Sequence, residues 1–139
     1  NYAAYLPLIT VPITVPAPGE PEFNTGYVES CAPNAAITYV HGTTAKYGTP
    51  VNGQMVAFSY EPDGPIVAKL ESGPHPGYPN WPNGFFSHIL GTEGPREGDW
   101  HFWIVDSQEQ RISVIINLHT DGWNGVDACQ QAVIRFDYR

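Results

Sequence analysis

Gly98-Asp99-Trp100-His101-Phe102-Trp103-Ile104-Val105-Asp106 is the stretch that decides the fold. A Gly-Asp pair turns the chain, and a run of aromatic and β-branched residues follows. Successive side chains of a strand point to opposite faces, so Trp100, Phe102 and Ile104 share one side and His101, Trp103 and Val105 the other. Both sides are largely apolar. The pattern predicts a central strand whose second face is covered by a neighbour or by the N-terminal segment.

Outward from that stretch the same punctuation recurs. Ala35–His41 ends at Gly42, Gln54–Tyr60 follows Asn52-Gly53, and Pro65–Leu70 follows Asp63-Gly64 as the second arm of a hairpin. Phe85–Leu90 follows Asn83-Gly84, and Arg111–His119 and Ala132–Tyr138 complete the set. No long window has the apolar spacing of a helix, and Asp127 to Gln131 could form one helical turn and no more. Seven short strands between turn signals predict an all-β sandwich.

The first thirty residues read differently. Tyr5-Leu6-Pro7-Leu8-Ile9 is apolar, and Pro12, Pro16, Pro18 and Pro21 then recur. Proline removes backbone donors and favours extended polyproline, so residues 1–30 read as a proline-rich extended N-terminal arm and residues 31–139 as the sandwich domain. The alternative is an edge strand from Leu8 to Val15, where Val11, Ile13 and Val15 alternate. Such an opening resembles the segment that trails a signal peptide or lipid anchor in exported bacterial proteins.

Composition narrows the partners. Of 139 residues, 42% are hydrophobic and 13% aromatic, enough for a buried core. Charged residues are only 14%, and the formal net charge is −8. Nucleic acid and anionic membrane surfaces both demand Lys and Arg, and the six present are scattered. No run of about 20 apolar residues exists, so membrane insertion is not expected. A neutral partner such as a polysaccharide fits this charge, and a protein partner is compatible with it. Cys31 and Cys129, outside any metal-like spacing, are expected to form a disulfide in an oxidising compartment. Two free thiols in a reducing one are the alternative.

Gly42, then Gly48-Thr49-Pro50-Val51-Asn52-Gly53-Gln54-Met55-Val56, and later Gly84-Phe85-Phe86 and Gly98 to Asp106, resemble the glycine-punctuated strands of transthyretin-like (prealbumin-like) bacterial domains. The resemblance covers residues 35–119. It implies a seven-stranded Ig-like sandwich, of the kind found as an accessory module beside extracellular enzymes and adhesins. Some relatives carry a Lys–Asn isopeptide bond, but Lys46 falls after the first strand and Lys69 points outward, so none is expected here. No hormone-binding or hydrolase motif carries over.

Chemistry has little foothold. His41, His75, His88, His101 and His119 lack metal-ligand spacing, and polar-face imidazoles explain them. No GxSxG motif surrounds any serine, and Glu61, Asp63, Glu93, Glu97 and Asp99 sit in expected turns. Asp121, Asn124 and Asp127, between Gly122 and Gly125, offer oxygen ligands for calcium, against the plainer reading of a Gly-rich loop. No catalytic residue and no cofactor is expected.

Glu71–Phe86 is the segment that looks functional. Its prolines and glycines exclude regular structure while limiting floppiness, and they present Tyr78 and Trp81 beside Asn80 and Asn83. Planar rings stack on the apolar faces of sugars, and amides bond the hydroxyls. Trp123 in another loop is a candidate second platform. The alternative is that Tyr78 and Trp81 fold back to cap the sandwich. The expectation is therefore a secreted or cell-surface, non-catalytic module that binds carbohydrate or another cell-surface ligand through loop aromatics, or else a structural spacer or interaction domain of a larger secreted or surface protein.

Overall fold

Short strand-forming segments cut by Gly, Pro, Asn and Asp have one economical outcome, two sheets laid face to face. The structure, a computed structural model, describes residues 21–139. Among these residues there is no helix. Nine strands are present: β1 Thr25–Ala32, β2 Thr38–Lys46, β3 Thr49–Pro50, β4 Met55–Ser59, β5 Ala68–Glu71, β6 Phe85–Gly91, β7 Gly98–Val105, β8 Ile116–Thr120 and β9 Gln131–Tyr138.

The first sheet runs β1-β9-β2, and the far edge of β2 is taken by β6 and, at its C-terminal end, by β3. Within it β2 and β9 are parallel and the other pairs antiparallel. The second sheet, β5-β4-β7-β8, is antiparallel throughout. Val40, Phe86, Ile134 and Phe136 from the first sheet meet Val56, Phe58, Phe102 and Ile104 from the second in one buried core.

The central position expected for Trp100–Asp106 holds, since β7 lies between β4 and β8. Trp100, Phe102 and Ile104 enter the main core. Trp103 and Val105 join Ala57 in a smaller buried cluster on the outer face, packed by Met55, Ile66 and Ile115. Two ion pairs belong to the same region, Arg111 with Asp63 at 2.8 Å and Lys69 with Glu109 at 2.6 Å.

The expected seven strands become nine because β1 and β3 are added. β1 begins at Thr25, within residues 1–30, so the later part of the expected arm is sheet, paired along β9. A bulge between Val28 and Ser30 breaks its alternation and hid it from pattern reading. Residues 1–20, with the Leu8 to Val15 alternative, lie outside the described residues. The expected strand Arg111–His119 shortens to β8 because Ser113 interrupts the ladder: the Ile104 N–H donates to Ser113 Oγ at 2.7 Å. Phe23 bonds there instead, its N–H donating to the Ile112 carbonyl at 2.9 Å and its carbonyl accepting from Val114 at 3.0 Å.

Cys31 and Cys129 form a disulfide, tying the end of β1 to the approach to β9. Nearby, β1 closes over β8, and at Gly26 a Cβ would lie 2.8 Å from Val114 and 2.9 Å from Ile116. The opposite side, between edge strands β5 and β6, stays open. That open seam positions the candidate site.

Candidate functional site

The chain between β5 and β6 crosses from one sheet to the other, and its ends are pinned by polar groups, of which Thr44 and Ser72 are buried. Ser72 Oγ lies 2.8 Å from Thr44 Oγ1 and accepts the Gln54 N–H at 3.0 Å. Asn52 Oδ1 accepts the Gly84 N–H at 2.7 Å, while its amide donates to Asn83 Oδ1 at 3.1 Å. Gly73, at φ 81°, passes so close to the Asn52 side chain that no Cβ fits. Within the loop, His75 and Tyr78 exchange backbone hydrogen bonds at 3.3 and 2.8 Å, and His75 Nδ1 bonds the Gly73 carbonyl at 2.8 Å. A segment without regular structure is therefore held in one shape.

On that frame the rings assemble. Tyr78 and Trp81 stack with centroids 4.4 Å apart and planes 11° from parallel. His75 meets Trp81 edge-on at 5.3 Å, and Phe85 does the same from β6 at 5.3 Å. Trp81 is half-buried against the core, whereas Tyr78 is 55% exposed. Trp81 thus packs against the end of the core, and Tyr78 leaves one face open to solvent. Below them a groove of about 450 Å³ runs along the open seam, lined by Lys69, Glu71, His75, Ser87 and His88. It continues past His88 and Ile89 into a second hollow of about 190 Å³ against Tyr60, Val67 and Trp100.

Asn80 is exposed beside the rings. Asn83 is also exposed, but its carbonyl oxygen is engaged by Asn52. Trp123 is not part of this assembly. It follows β8, whose Thr120 pairs with Gly98 at the start of β7, whereas the Tyr78 loop leaves β5 at Glu71, level with Met55 and Val105 at the other end of β7. The two aromatic loops therefore occupy opposite ends of the sandwich. Trp123 is 53% exposed, and its carbonyl accepts a hydrogen bond from the buried Gln130 amide at 2.7 Å.

The candidate calcium loop has prior commitments. Asp121 Oδ2 accepts the Cys129 N–H at 2.9 Å, and its Oδ1 lies 3.5 Å from His119 Nε2. Asn124 and Asp127 are exposed, and among the described residues no group of three or more His, Cys, Asp or Glu side chains is placed to hold a metal ion.

Two histidines are perturbed in opposite directions. Burial against Phe58, 5.1 Å away, pushes His88 below its ordinary value. The Asp99 carboxylate, hydrogen-bonded to His119 Nδ1 at 2.8 Å, holds His119 above it, with Asp121 and Glu97 adding to the field.

Residues that pattern reading passed over are Phe85, His41 and Tyr39. They continue the line of rings from Trp81, with centroid steps of 5.3, 5.7 and 5.8 Å. Alternation places Phe85 opposite to the buried Phe86, but only strand register sets it against Thr43 and beside His41. No family model, curated protein or solved structure matches the chain.

Proposed function

We propose that this chain is a non-catalytic module that binds carbohydrate, with the exposed face of Tyr78 as the main contact and the seam groove beneath it. The observation that carries the proposal is the parallel Tyr78–Trp81 pair, one ring half-buried as backing and the other open to solvent. Sugar binding asks for a fixed aromatic face with hydrogen-bonding groups close by, and Lys69, Glu71, Ser87 and His75 supply them in the groove. Glu71 is the single carboxylate of that lining, while glycoside hydrolysis uses two. The reading includes a secreted or cell-surface location, supported by a disulfide that belongs to oxidising compartments. It also includes the transthyretin-like or Ig-like type, supported by the two-sheet architecture and the glycine-bounded strands. No helix among the described residues is long and apolar enough to cross a membrane.

A second reading is a spacer or interaction domain in which the rings only seal the end of the sandwich. The packing of Trp81 against the core favours it. A glycan array probed with the full chain and with Tyr78→Ala separates the two. Retention on neutral glycans that Tyr78→Ala loses supports binding, and no retention by either protein supports the spacer.

A further inference from the structure

Three Asn-Gly pairs punctuate the chain, Asn52-Gly53, Asn83-Gly84 and Asn124-Gly125. This dipeptide carries its own reaction. Glycine has no Cβ to shield its backbone nitrogen, so that nitrogen can attack the amide carbon of the preceding asparagine. A bond forms from the glycine nitrogen to Asn Cγ, and the bond from Cγ to Nδ2 breaks. The amide leaves as ammonia, carrying off the proton that the glycine nitrogen gives up. Water then opens the resulting succinimide at either carbonyl, which yields aspartate or isoaspartate. Water is the sole co-reactant. The asparagine side chain must turn onto the nitrogen, and the nitrogen must be free of other bonds.

Exposure does not separate the three pairs, since Asn52, Asn83 and Asn124 all face solvent. Hydrogen bonding does. Gly53 donates its N–H to the Ser72 carbonyl at 2.8 Å, and Gly84 donates its own to Asn52 Oδ1 at 2.7 Å. The Asn52 amide also donates to Asn83 Oδ1 at 3.1 Å, which fixes both side chains. The two pairs at the foot of the ring loop therefore restrain each other. Asn124-Gly125 lies in the loop after β8, between exposed Trp123 and Val126, the latter 86% exposed. Among the described residues, neither the Asn124 side chain nor the Gly125 N–H has a hydrogen-bond partner. Only the Gly125 carbonyl is engaged, accepting the Ala128 N–H at 3.1 Å.

We propose that Asn124 is a self-modification site, deamidating through Gly125 to aspartate and isoaspartate. Asn52 and Asn83 are protected by the same hydrogen bonds that fix the ring loop. The product adds a negative charge to a loop that already carries Asp121 and Asp127, and isoaspartate lengthens the backbone next to Trp123. The Tyr78 face, at the other end of the sandwich, keeps its structure as the protein ages.

Peptide mapping with isoaspartate detection, on the full chain aged in mildly alkaline buffer, tests this. Asn124 should convert at least about tenfold faster than Asn52 or Asn83, the factor that breaking one hydrogen bond before reaction imposes. In the reduced, denatured chain the three sites should convert at similar rates, because the fold alone distinguishes them. Asn52→Ala releases Gly84 and Asn83, and should bring Asn83 toward the rate of Asn124. Equal conversion of the three sites in the folded chain, or an intact Asn124 there, overturns the proposal. A denatured chain that keeps the folded order of rates overturns it too, placing the selectivity in the neighbouring sequence. An Asn83 that stays protected in a folded Asn52→Ala variant overturns the mutual restraint.

Discussion

The Tyr78 and Trp81 rings lie 4.4 Å apart and 11° from parallel, yet they differ in what lies behind them. Trp81 has Phe85, His75 and the core around it, while Tyr78 has solvent over its far face. Truncating them should therefore have unequal costs. Trp81→Ala is expected to lose about 2 kcal/mol, or roughly 5–10 °C in thermal midpoint, below the full cost of a buried tryptophan. Tyr78→Ala should shift the midpoint by less than about 2 °C. Thermal melts by circular dichroism check this, and equal losses would contradict the division of roles.

Asn52 bonds the C-terminal end of the ring loop through Gly84 and Asn83, and its side chain packs close against Gly73 at the other end. Asn52→Ala should cost about 1 kcal/mol, with faster amide exchange at Gly84. Unchanged exchange at Gly84 would show that the loop is fixed by its prolines alone.

The disulfide spans a sequence separation of 98 residues. In loop-closure terms a cross-link of that span contributes about 4–5 kcal/mol, so a Cys31→Ser, Cys129→Ser double variant should be strongly destabilised. Mass spectrometry of the unreduced protein should find no alkylatable thiol. Two labelled thiols would contradict the pairing.

His119 and His88 should titrate apart. The folded state holds His119 above its ordinary value through Asp99, so its stabilising effect is present below about pH 6.5 and lost as pH rises through the raised value. His88 is lowered by burial, so its neutral form is favoured: that contribution is present above about pH 6.5 and lost as pH falls through the lowered value. Imidazole titration by NMR should show His88 below His119, and Asp99→Asn should bring His119 down. Coincident curves would contradict both placements.

Much of the fold was legible in local patterns. The alternation in Trp100–Val105 gave both faces of β7, and the Asn-Gly and Asp-Gly turns bounded β4 and β6. β1 was hidden because Glu29 and Ser30 are exposed at a bulge, and a bulge erases the period-two signal. For the site, Gly and Pro density marked the Tyr78 loop but could not say that Trp123 lies at the other end of the sandwich. Local sequence carries no information about which end a loop occupies. Nor could it align Phe85 with His41, because that contact depends on the β2–β6 register between residues far apart in the chain.

An amide and indole NMR titration with a soluble neutral oligosaccharide tests the binding proposal most directly. The four tryptophans give four indole N–H signals, and the rings of interest are well separated in the fold. Binding on the proposed surface moves the Trp81 indole and the backbone around Tyr78, and leaves the buried Trp100 and the distant Trp123 still. No shifts up to millimolar ligand, or shifts confined to Trp123, would contradict it.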